Sequence, residues 1–175
     1  VTGSNSRMLS MDILTEFKDR GEEIRVTPLT YDEFMTAYQG DNRLAWTEFM
    51  MYGGMPFVMH KDGHAEKAAY LQGLFEKTYI TDVIERNQLK ASKDVLEDLL
   101  NYLASSVGSL TNATKLENTF RSTKKLNISH QTISAYIDHF IDAVIIRKAE
   151  RYDIKGRKYI GAQQKYFFTD VGLRN

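Results

Sequence analysis

At 175 residues, 42% hydrophobic and 26% charged, the chain has the composition of an ordinary globular protein with room for one domain or two small ones. It has no cysteine, which excludes disulfides and zinc–thiolate sites, and no run approaching the roughly 18 apolar residues of a membrane span. The formal net charge of zero conceals two halves of opposite sign: residues 1–108 carry 11 Lys and Arg against 17 Asp and Glu (−6), and residues 109–175 carry 12 against 6 (+6). Opposite signs predict two modules, and two readings stand for the basic one: it meets nucleic acid, or it meets the acidic half across an interface.

The first residues, Val1-Thr2-Gly3-Ser4-Asn5-Ser6, have neither a basic leader nor an apolar stretch, so the expected setting is cytoplasmic. Val1-Thr2-Gly3 reads as the end of a buried strand. Apolar residues at Met8, Leu9, Ile13, Leu14 and Phe17 predict a helix that stops at Asp19-Arg20-Gly21, and 23–27 alternates like a strand before Pro28. Strand, helix and strand in this order look like the tail of an α/β unit. From Leu29 onward the pattern is helical. Thr30-Tyr31-Asp32-Glu33 has the spacing of a capping box. Helix signals run over 44–51, break at Tyr52-Gly53-Gly54-Met55-Pro56, resume over 66–87, and return over 93–107 before Gly108.

The last third has another grammar. A helix over 111–121 leads to the turn Ser122-Thr123-Lys124-Lys125, and Ser129 caps a helix over 130–142 with the apolar stripe Ile133, Tyr136, Ile137, Phe140 and Ile141. Two strand-like runs, 144–152 and 158–169, flank the Gly-bearing loop 153–157. Helices followed by a β-hairpin give the order of a winged helix-turn-helix. The expected fold is therefore mainly α with a small β component (α+β). Its parts are an α/β remnant at 1–28, a helical region at 29–108 and a winged-helix-like domain at 109–175.

Several stretches together carry a resemblance: Thr2-Gly3-Ser4-Asn5-Ser6, Pro28-Leu29-Thr30-Tyr31-Asp32-Glu33-Phe34, Tyr52-Gly53-Gly54-Met55-Pro56, Tyr152-Asp153-Ile154-Lys155-Gly156, and the run from Tyr166 to Asn175. In this order and spacing the chain resembles bacterial and archaeal AAA+-type P-loop ATPases with a C-terminal domain of unknown function. The resemblance implies a fragment running from the sensor strand through a helical lid and a winged helix. The phosphate-binding loop and acidic metal-binding strand would lie upstream, so ATP and Mg²⁺ are expected for a longer parent and no cofactor for this chain. It also implies that Asn5, flanked by Ser4 and Ser6, orients the γ-phosphate or attacking water, and that Arg20 acts as an arginine finger. The residues alone offer a plainer reading: Ser4-Asn5-Ser6 caps the next helix and Arg20 satisfies a helix C-terminus.

No self-contained active site is present in the pattern. Gly53-Gly54-Met55-Pro56 lacks the lysine and hydroxyl of a phosphate cradle and reads as a tight turn. His60 and His64 read as loop residues without the further ligands a metal needs. If 109–175 is a winged helix, the helix over 130–142 offers His130, Gln131 and Ser134 opposite its apolar stripe. The wing supplies Lys155, Arg157 and Lys158, with Lys124 and Lys125 in the turn. Asp138 and Asp142 lie on the same helix, which favours backbone-led DNA contact over sequence reading. The competing partner is a protein, with self-association through the unpaired edges of 1–28 as a further expectation. No membrane partner is expected.

Overall fold

The structure, a computed structural model, describes residues 24, 26–89, 92–149 and 163–175. Thr30 opens the first helix, α1 (Tyr31–Ala37), through the reciprocal bonds of a capping box. The Glu33 amide donates to Thr30 Oγ1 at 3.4 Å, and the Thr30 amide donates to Glu33 Oε2 at 2.8 Å. Helix α2 (Ala45–Tyr52) packs against α1 through Tyr31, Phe34, Trp46 and Phe49, with Tyr31 edge-on to Trp46 at 4.9 Å between ring centroids. It ends where Gly53 turns to φ +75°, a left-handed conformation that favours glycine. A 3₁₀ turn follows at Pro56–His60, then α3 (Gly63–Gly73).

A single helix is expected over 66–87. Three segments stand there instead: α3, a π-helical stretch Leu74–Ile80, and α4 (Thr81–Arg86). The widened turn changes the buried stripe between α3 and α4, so Leu71 joins one apolar cluster while Ile80 and Val83 join another. His60 and His64 lie in the 3₁₀ turn and in α3 rather than in a loop. Helix α5 (Lys93–Ser105) then buries Leu96, Leu99, Leu100 and Leu103, each worth about 1.5–3 kcal/mol of transfer free energy.

Asn112 caps α6 (Ala113–Thr119), which continues as a π-helical turn, Phe120–Lys124, and stops at Lys125 in a left-handed conformation (φ +54°). Helix α7 (His130–Asp142) starts at Ser129, whose hydroxyl accepts from the Thr132 amide, and buries Ile133, Ile137 and Phe140. Its C-terminus closes by two bonds: the Val144 amide donates to the Ile141 carbonyl and the Ile145 amide to the Phe140 carbonyl, both at 3.0 Å. This is the Schellman pattern, with β-branched Val144 (φ +59°) in the position glycine usually takes. The reversal sends the chain into β1 (Ile146–Ala149), which pairs antiparallel with β2 (Lys165–Phe168), Ile146 opposite Phe168. Thr111, just before α6, adds an antiparallel bridge to Gln164.

The last short helix, α8 (Val171–Arg174), ties the end of the chain to its helical beginning. Asp170 is only 4% exposed. One carboxylate oxygen accepts from the Gly54 amide at 2.7 Å, and the other accepts from the Gly172 amide at 2.9 Å and the Leu173 amide at 3.1 Å. Burial pushes its carboxyl above the ordinary range, against those backbone bonds. The approach is close enough that a Cβ on Gly172 would strike the Tyr52 carbonyl and one on Gly54 the Leu29 carbonyl. The Leu29 amide donates to the Gly54 carbonyl, and Asn175 Nδ2 donates to the Met50 and Met51 carbonyls. The turn expected at 52–56 is thus also a dock for the chain's last residues.

The α+β expectation is met: the described residues are mainly helical with a small two-stranded antiparallel sheet. The P-loop core is not supported. Most of 1–28 lies outside the described residues, and Ile24 and Val26, expected in a strand, stand in no strand among the described residues and are 81% and 91% exposed. The runs expected as strands at 144–152 and 158–169 are shorter in the described part, since the Schellman turn consumes Val144 and Ile145.

Candidate nucleic-acid interface

The second half of the chain presents polar groups around α6 and α7. One side of α6 is fixed by the core: Leu116 is fully buried and Phe120, in the turn that continues it, nearly so. At about 100° per residue, the remaining positions divide into two faces. Glu117 and Arg121 face the start of α7. Lys115, Asn118, Thr119 and Ser122 lie on the opposite flank.

On the α7 side the charges are paired. Glu117 Oε2 accepts from the His130 backbone amide at 3.0 Å and lies 3.1 Å from His130 Nδ1, while Oε1 accepts from Arg121 at 2.6 Å. Burial opposes the Glu117 charge, but the His130 side-chain and backbone bonds with the Arg121 charge outweigh it and hold the carboxyl below the ordinary range. The start of a helix attracts an anion because its amides are unpaired, and this carboxylate already serves it. Further along α7, Gln131, Ser134 and Asp138 are exposed, and the side chains of Gln131 and Ser134 make no hydrogen bond among the described residues.

The residues expected to contact nucleic acid are therefore placed unequally. His130 is exposed at the head of α7 but held by Glu117. Lys124 reaches back to α5 and pairs with Asp98 at 2.8 Å, an ion pair that joins the basic half to the acidic half. Lys125 is exposed in the left-handed turn, and Gln131 and Ser134 stand on the open side of α7. Lys155, Arg157 and Lys158, in the segment joining β1 to β2, lie outside the described residues, and so do Ser4, Asn5, Ser6 and Arg20 near the start of the sequence. Arg147 and Lys165 add exposed cations on the hairpin itself, where period-two alternation marks them as outward-facing.

Sequence reasoning missed the other flank of α6. A shallow groove of about 560 Å³ runs along it, lined by Asn112, Lys115, Asn118, Thr119, Ser122 and Gln163. The signal was available as polar residues recurring at helical spacing from Asn112 to Ser122, but the hydroxyl and amide groups there read as ordinary solvated surface. Gln163 also lines the groove, next to Gln164, which bridges to Thr111 just before α6.

Over residues 43–175 the chain matches the family described as "Domain of unknown function (DUF8612)". It belongs to that family. It is 36% identical over 179 residues to an uncharacterized protein of Haemophilus influenzae, a match covering 99% of this chain and 44% of the relative. It is 25% identical over 169 residues to uncharacterized protein MJ1544 of Methanocaldococcus jannaschii, covering 89% and 37%. The chain thus spans less than half the length of these curated relatives. No solved structure matches it.

These matches correct the ATPase resemblance. The family found is one of unknown function, and neither relative carries an ATPase name. Those of the short stretches that fall among the described residues have a structural account instead, while residues 2–6 and 152–156 lie outside them. Thr30 and Glu33 form a capping box, and Tyr52, Gly53, Gly54, Asp170, Gly172 and Asn175 meet where α8 docks. Among the described residues no group of three or more His, Cys, Asp or Glu is placed to hold a metal, and no helix is long and apolar enough to cross a membrane.

Proposed function

We propose that residues 109–175 act as a winged helix-turn-helix that holds nucleic acid by its sugar–phosphate backbone without reading sequence. The observation that carries this reading is the arrangement around Thr111. A bridge from Thr111 to Gln164 adds a third segment to the β1–β2 pair, and the polar side of α7 is exposed to solvent. Taken with α5 in front of them, the bridging residue Thr111, α6, α7 and the hairpin follow the winged-helix order, and residues 109–175 carry a net charge of +6. Cations on the hairpin and its loop suit phosphate contact. The carboxylates of Glu117 and Asp138, at and on α7, disfavour deep insertion of that helix among base edges.

Those same two carboxylates favour a second reading, in which the open side of α7 meets a protein. Fluorescence anisotropy with two short DNA duplexes of unrelated sequence separates the readings. The first expects similar affinity for both duplexes, lowered at least ~10-fold when Lys155, Arg157 and Lys158 are replaced together by alanine. Strong preference for one duplex would overturn non-specific holding, and absence of binding at low salt would leave the protein-partner reading in front.

A further inference from the structure

We infer that the groove along α6 is a phosphate-binding track, separate from the head of α7. The ligand it fits best is a phosphodiester segment of nucleic acid, which rests on the reading above. None of the described residues that line the groove is a carboxylate, and Lys115 makes no ion pair among the described residues. This distinguishes Lys115 from Arg121 and Lys124, whose charges are taken by Glu117 and Asp98.

The neutral groups complete the argument. Asn112 caps α6 with its carbonyl oxygen, Oδ1 accepting from the Lys115 amide at 2.8 Å, so its Nδ2 hydrogens remain as donors. The side chains of Asn118 and Gln163 make no hydrogen bond among the described residues, leaving their amide donors unengaged. Thr119 and Ser122 spend their hydroxyl hydrogens on the helix, donating to the Lys115 and Thr119 carbonyls. Lys115 and three carboxamide side chains thus line one concave surface, with an ammonium and three NH₂ groups unengaged among the described residues. A phosphate offers only acceptors and negative charge, the complement of that set.

The test uses the full chain labelled with ¹⁵N, titrated separately with a short DNA duplex and with inorganic phosphate at low salt. The side-chain amide signals of Asn112, Asn118 and Gln163 are the readout. Expected are shifts of these signals with the duplex and an affinity about 3- to 10-fold lower in Lys115→Ala, which alters an exposed helical position without touching the core. Duplex binding that leaves the three signals unmoved would overturn the track while the nucleic-acid reading survives. Shifts with inorganic phosphate but no duplex binding would sustain the site with a free phosphate as its ligand and reject the nucleic-acid reading. Silence of the three signals with both probes would overturn the proposal outright.

Discussion

The Asp170 dock and the α6 groove are both polar, and both lie partly in the basic half of the chain, yet their hydrogen-bonding groups are used differently. At Asp170, both carboxylate oxygens accept backbone amides from two distant segments, and glycines bring the chains so close that no side chain fits between them. Along α6, the ammonium of Lys115 and the NH₂ groups of Asn112, Asn118 and Gln163 stand without partners among the described residues. Buried polar groups are costly unless satisfied, so the first pattern belongs to architecture. Unspent donors on a concave surface do nothing for folding, so the second is free to serve a ligand.

Substitutions at the dock should therefore carry the largest effect on stability. Gly172→Ala drives a methyl group into the Tyr52 carbonyl, and the expected loss is about 3 kcal/mol or more in chemical denaturation. A loss under about 1 kcal/mol would mean that α8 is not docked as described.

The pH dependence of the dock comes next. Burial raises the Asp170 carboxyl in the folded chain, so the native state holds its proton to higher pH than the unfolded state. The group's contribution is fully present below the unfolded carboxylate range, near pH ~4, and declines as pH rises through the folded value. The stability difference between the unaltered chain and Asp170→Asn should accordingly shrink as pH rises from about 4. Denaturation curves across that interval measure it, and a difference that widens with pH contradicts the assignment.

The groove supplies the smallest effect and the sharpest contrast. Asn118→Ala removes an exposed side chain with no partner, so stability should change by less than about 0.5 kcal/mol, while duplex affinity falls. A large destabilisation would place Asn118 among the structural groups and erase the distinction between the two regions.

Local signals were readable where one segment determines its own structure. Thr30 with Glu33, and Ser129 before the stripe of Ile133, Ile137 and Phe140, specify caps and faces by spacing alone, and α1 and α7 stand where that spacing puts them. The π-helical turns at 74–80 and 120–124 were not readable, because an extra residue in a turn leaves no mark in side-chain chemistry. The partner of Asp170 lies 116 residues away at Gly54, and the fully paired carboxylate is invisible until the two segments meet. The same holds for the candidate site. Lys124 was expected to be open, and its engagement by Asp98 depends on how α5 packs beside the end of α6. The ATPase resemblance shows the converse risk: the glycines at 53, 54 and 172 allow the close approach of two distant segments and carry no nucleotide-specific signal of their own.

The most direct measurement is the affinity of the full chain for a short DNA duplex across a series of salt concentrations. Contact through the hairpin cations and Lys115 predicts a binding constant falling linearly on logarithmic axes, with a slope of about −3 to −5 for roughly four or five neutralised phosphates. No binding at the lowest salt, or binding indifferent to salt, would contradict backbone-led recognition and turn the open side of α7 toward a protein partner.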